Sequence, residues 1–95
     1  VINFKAQRTL DGSLVTKREG DKVTSLPSPH YDWGTFCSGA FMLAEELRRE
    51  VLGHNDPELD YTLNYTFARQ VLANLPWEGW ELGKDELGRK LMGRL

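Results

Sequence analysis

A single cysteine, two histidines and no long apolar run set the first limits on this 95-residue chain. One cysteine closes no internal disulfide, which suits a reducing compartment and leads to an expectation of cytoplasmic residence. The longest apolar patches are far short of the roughly 20 residues that span a bilayer, and no basic segment followed by an apolar core opens the sequence as a secretory leader would. Metal-site spacings such as CxxC or HExxH are missing, as are the GxxxxGK[ST] and GxGxxG loops that cradle phosphates. No internal repeat or low-complexity tract occurs. The length allows one hydrophobic core and hence one domain over residues 1–95.

Charge is unevenly placed. The net charge is −2, but residues 1–30 hold five basic and three acidic groups, residues 31–83 three and nine, and residues 84–95 four and two. A mildly basic front and tail thus flank an acidic middle. Exposed helix faces account for such a pattern, and a dipolar surface that steers a charged partner is the alternative.

The front predicts an antiparallel meander. Ile2, Phe4 and Ala6 alternate with Asn3, Lys5 and Gln7, a period of two with one apolar face. Asp11-Gly12 signals a type I′ hairpin turn, with Leu14–Lys17 returning, Glu19-Gly20-Asp21 turning again and Val23–Leu26 as a third strand. Pro27-Ser28-Pro29 ends the strand pattern. The stretch Tyr31–Gly53 then joins an aromatic, glycine-bearing loop to an amphipathic helix. Ser38 is expected to cap that helix, Ala40, Leu43, Ala44, Leu47 and Val51 to form its apolar stripe, Glu45 and Arg49 to pair, and Gly53 to stop it in the left-handed conformation.

A second helix starts at Asp56-Pro57, with Asp56 capping and Leu59, Leu63, Phe67 and Val71 as its core line, and ends at Asn74-Leu75-Pro76. The short connection around His54 predicts antiparallel packing of the two helices. Glu78–Leu82 reads as a short edge strand around Trp80. Lys84–Leu95 reads as a brief helix with Leu87, Leu91 and Leu95 on one side, weakened by Gly88 and Gly93 and prone to fray. The fold class expected is α+β, a meander covered by two antiparallel helices and closed by Trp80 and the terminal helix. The core expected is Phe4, Leu14, Val23, Trp33, Leu43, Leu47, Val51, Leu63, Phe67, Val71, Leu72 and Trp80.

Chemistry has few places to sit. Cys37, beside a helix start, is a candidate nucleophile with His30 or His54 as base, but the arginine that a phosphatase-type loop carries six positions on is Leu43 in this chain. Packing of a small, half-buried cysteine under Trp33 or Phe36 is the favoured reading of Cys37. The amides at Ser38-Gly39 form a candidate anion site, although no cation lies between Lys22 and Arg48. Lys5, Arg8, Lys17, Arg18 and Lys22 offer a basic hairpin for nucleic acid, against a pI of about 5.6. Tyr61, Tyr65 and Arg69, one turn apart on the second helix, are residue types enriched at interface anchors. They carry the leading expectation, an accessory or protein-interaction module without a cofactor, with nucleic-acid binding second and a Cys37 enzyme third. The oligomeric state is left open.

From Leu26 to about Leu91 the chain also resembles a small prokaryotic and phage-associated domain family of unknown function. The likeness rests on Ser28-Pro29, Tyr31-x-Trp33-Gly34, Ser38-Gly39 leading into Leu43-Ala44, and Leu75-Pro76-x-x-Gly79-Trp80-x-Leu82. The family's loop is richer in glycine and often has a proline after the Ser-Gly pair, where this chain has Ala40. The cysteine is not part of the family pattern either. The resemblance implies occurrence in bacteria, archaea and mobile elements, and brings no activity, cofactor or catalytic residue.

Overall fold

The computed structural model describes residues 1–54 and 56–93; the expected place of Leu95 on the terminal helix lies outside them. Strands β1 (Ile2–Thr9), β2 (Gly12–Glu19) and β3 (Lys22–Ser25) form the meander. Helices α1 (Ser38–Leu52) and α2 (Pro57–Gln70) follow, then a 3₁₀ turn at Leu72–Asn74, strand β4 (Gly79–Gly83) and helix α3 (Lys84–Met92). The sheet order is β3-β2-β1-β4, so the last strand returns to the first, antiparallel to it. This is the α+β arrangement expected from the alternating and helical periodicities.

The first hairpin corrects one expectation. Thr9 pairs with Gly12, so Leu10-Asp11 occupy the turn, and among the described residues only glycines have positive φ. A type I′ turn needs positive φ at both central positions, and Asp-Gly does not supply it in this hairpin. Gly12 instead ends the turn where a Cβ would stand 2.4 Å from the Pro29 carbonyl oxygen. Its neighbour Ser13 donates from its amide to the same Pro29 oxygen and from its hydroxyl to Tyr31 O at 2.6 Å. With Leu26 N on Val15 O, the irregular segment after β3 is thereby tied along β2.

Register explains the errors in the expected core. Phe4 faces Lys17 and Ala6 faces Val15, whereas Leu14 is opposite Gln7. Cross-strand partners share a sheet face, so Leu14 lies on the face away from Phe4 and Ala6 and is only half-buried, while Val15 is 1% exposed. Val23 sits on an edge strand whose residues are all exposed. Val51 is half-buried and Leu59 exposed. Phe4, Trp33, Leu43, Leu47, Leu63, Phe67, Val71, Leu72 and Trp80 are buried as expected.

The core also takes in Ala6, Val15, Leu26, Tyr31, Leu87 and Leu91. The last two make α3 a docked element: both are fully buried and the helix packs on α1, α2, β1 and β4. Burial of two leucines one turn apart offsets the low helix propensity of Gly88.

The two long helices begin in different ways. Asp56 caps α2 as expected, its carboxylate accepting from the amides of Glu58 and Leu59. Ser38 does not cap α1; it is the first helical residue, and Cys37 holds the cap position with no side-chain hydrogen bond. Gly53 ends α1 at φ 71 and ψ −156, a glycine conformation outside the left-handed helical well. The pairs Phe36–Tyr65, Phe41–Tyr61 and Arg48–Asp60 show α1 and α2 running antiparallel. No helix among the described residues is long and apolar enough to cross a membrane.

Candidate functional site

The residues singled out in the sequence fall into three places. The first is the loop before α1, where Arg8 of β1 organises most of the polar groups. Its guanidinium lies 4.2 Å from the Trp33 ring and 4.4 Å from the Trp77 ring. Within the plane of that fork, Nη1 meets Asp32 Oδ1 at 2.6 Å, Nη2 donates to Trp33 O at 3.0 Å and Nε to Trp77 O at 2.9 Å. The Trp33 indole N–H also donates to Trp77 O, and Trp33 stands edge-on to Trp80 at 6.1 Å. One side chain thus fastens β1, the loop and the approach to β4.

Asp32 is the second member of that node. Its Oδ1 also accepts from the Trp33 amide, and the Cys37 thiol donates to Oδ2 at 3.6 Å. Cys37 is half-buried against the core. Gly39 is buried at the start of α1, where a Cβ would lie 2.8 Å from both Asp32 Cβ and His30 O. An anion approaching Ser38-Gly39 would therefore meet the charge of Asp32 beside the helix start, and Ser38 itself is exposed.

Partial burial pushes the Asp32 carboxyl up, but the Arg8 hydrogen bond and the Trp33 amide outweigh it and hold the carboxyl below its ordinary value. The folded state binds this proton less tightly than the unfolded chain, so the contribution is present above the ordinary aspartate range and lost as pH falls through the folded value. Stability is expected to decline on acidification below about pH 4, and Asp32→Asn to flatten that decline. Urea midpoints measured against pH for both chains check this; parallel acid limbs would refute it.

The second place is the basic hairpin, whose five cations do not share a face. Arg8 is enclosed as described, and Lys17 is turned to Glu50 of α1 at 2.8 Å and to Glu19 at 3.1 Å. Those contacts raise the Lys17 ammonium above its ordinary pKa, the Glu50 hydrogen bond foremost. Lys5 and Arg18 stand on the other side, around a shallow hollow of about 210 Å³ with Thr16 and Glu81. Lys22 is exposed at the second turn.

The third place is the outer face of α1 and α2. Tyr61 and Tyr65 are 61% and 38% exposed. Their rings stack at 6.4 Å with an interplanar angle of 23°. Phe36 meets Tyr65 edge-on at 5.3 Å, and Phe41 tilts against Tyr61 at 5.7 Å. Arg69 reaches back to the Tyr65 hydroxyl at 3.4 Å. The result is one row of four aromatic rings, with Phe36 46% exposed and Phe41 half-buried. Sequence reasoning found the α2 half of this row and missed Phe36 and Phe41. For Phe41 the available signal was its place on α1 outside the buried set Ala40, Leu43, Ala44 and Leu47; Phe36 precedes the helix and its spacing carried no such signal.

Beyond Tyr61 the row opens into a groove of about 390 Å³ between the helices. Arg48, 2% exposed, forms part of its floor. The guanidinium donates to Asn64 Oδ1 at 2.8 Å and to Gly53 O at 2.7 Å and stands 3.4 Å from Asp60. Arg48 therefore binds the end of α1 to α2, and its charge is matched from within. Comparison with known proteins gives no match: no family model, curated protein or solved structure aligns with the chain.

Proposed function

We propose that this domain is a protein-interaction or accessory module of the cytoplasm and that it makes contact through the row Phe36, Phe41, Tyr61 and Tyr65. The observation that carries this is a chain of four rings in contact across the outer side of α1 and α2, of which Phe36, Tyr61 and Tyr65 are exposed and Phe41 is half-buried. Single apolar residues on a surface are ordinary, whereas a contiguous apolar patch with a polar edge marks a contact site. Tyrosine suits such a face because a large rigid ring is ordered at small entropic cost and its hydroxyl tolerates water. The rings also hold each other in place before any partner arrives, which lowers the cost of binding.

The test is a pull-down from cells that make the chain, with the parent domain and a Tyr61→Ser/Tyr65→Ser variant as baits. A specific protein is expected on the parent, with affinity reduced at least about 30-fold on the variant, as the loss of an aromatic anchor worth about 2 kcal/mol implies. Equal capture by both baits, or none by either, rejects the reading. Both tyrosines are exposed, so the variant is expected to keep its circular dichroism spectrum.

A further inference from the structure

Resting on the reading of this row as a contact surface, we propose that a second copy of the chain docks on it, antiparallel along α2 and related by a two-fold axis. The exposed stripe of α2 is Glu58, Tyr61, Thr62, Tyr65 and Arg69, all solvent-facing and within about 100° of arc on an α-helix. Charge occurs only at its two ends. Glu58 and Arg69 are separated by about 16 Å of helix rise, and the span between them is aromatic and hydroxyl-bearing.

Among the described residues neither Glu58 nor Arg69 has an ion-pair partner within the chain, and the contact from Arg69 is to a neutral hydroxyl. Arg48 and Arg49 of the facing helix both meet carboxylates. The stripe therefore offers one unmatched acid and one unmatched base at opposite ends of an uncharged centre. Reversing its direction produces its own complement. A two-fold axis crossing α2 near Leu63-Asn64 sets Glu58 against the partner copy's arginine at position 69, and the same contact recurs on the other side of the axis, as an isologous interface requires. Tyrosines and threonines meet in the middle, and the stripe's zero net charge avoids repulsion between copies. A uniformly basic or acidic partner would match one end and oppose the other.

Sedimentation equilibrium of the full chain, from micromolar to millimolar concentration, tests this. The parent is expected to self-associate. Glu58→Arg and Arg69→Glu should each weaken association at least about tenfold, because each creates two like-charged contacts per dimer. An equimolar mixture of these two variants should recover the parent's association, since residue 58 of one then opposes residue 69 of the other with unlike charges on both sides. Each reversal also opposes the α2 dipole; mixing cannot repair that, so recovery on mixing reports the interface and not helix stability. A parent that stays monomeric, variants that associate like the parent, or a mixture that fails to recover would each overturn the proposal. A monomeric parent that still captures a protein through Tyr61 and Tyr65 removes the second copy and leaves the contact-surface reading standing.

Discussion

Arg8→Lys is expected to destabilise the domain nearly as much as Arg8→Met, by about 2–4 kcal/mol in urea unfolding. Charge-assisted hydrogen bonds contribute about 1.5–3 kcal/mol and each cation–π contact about 0.5–1 kcal/mol or more where water is partly excluded. Lysine keeps the charge and loses the shape. Three acceptors, Asp32 Oδ1, Trp33 O and Trp77 O, lie around one planar fork that is itself flanked by two indole rings. An ammonium is a compact point charge that cannot stay flat between the rings while reaching all three acceptors. A lysine variant as stable as the parent would show that charge alone holds the loop and that the planarity of the fork contributes nothing.

Gly79→Ala carries the other large effect, about 3 kcal/mol or more of lost stability. Gly79 opens β4 opposite Gln7 with φ at 154, and a Cβ there would stand 2.5 Å from the Ala6 carbonyl oxygen. Backbone in that region costs a side chain about 1–3 kcal/mol, and relieving the clash requires β4 to separate from β1, the strand that carries Phe4 and Ala6. Gly88 is the internal control. It lies in α3, and an added Cβ would touch Val51 at an ordinary 3.5 Å, so Gly88→Ala should stabilise by about 0.5–1 kcal/mol through helix propensity alone. Thermal and urea unfolding of the pair should therefore move in opposite directions; a neutral Gly79→Ala would mean that β4 is not held to β1 at this point.

Local signals were sufficient for some elements and misleading for others. The α2 start was legible because a capping aspartate and a proline at the next position act within one turn, without help from elsewhere. The α1 start was not. Ser38 has the side chain of a cap, yet the loop positions Cys37 there, because Gly39 must pack against Asp32 and His30 O. Likewise Asp11-Gly12 has the composition of a type I′ turn, but Ser13 and Gly12 are committed to the Pro29 and Tyr31 carbonyls. A distant segment thus selected the turn. Leu14 and Val15 differ little in hydrophobicity, and register decided which of them entered the core.

The candidate surface divides in the same way. Tyr61, Tyr65 and Arg69 were visible as a line because three- and four-residue spacing places side chains together on any helix. Phe36 and Phe41 joined them only because α1 folds back antiparallel on α2 and the loop before α1 turns outward at Phe36. The basic hairpin shows the reverse. Its five cations are neighbours in the chain, and strand alternation together with tertiary pairing sends Arg8 and Lys17 inward to carboxylates.

By itself, then, the sequence determined the class of the fold, the number of helices and strands and most of the large core residues, since periodicity and turn chemistry operate over a few residues. Only the tertiary structure decided that Arg8 closes the loop between two tryptophans and that four aromatic rings from the loop, α1 and α2 join in one row. Both depend on contacts between segments 20 to 70 residues apart, as in Arg8–Trp77 at a separation of 69, and such partners are chosen by packing of the whole chain and not by the residues beside them.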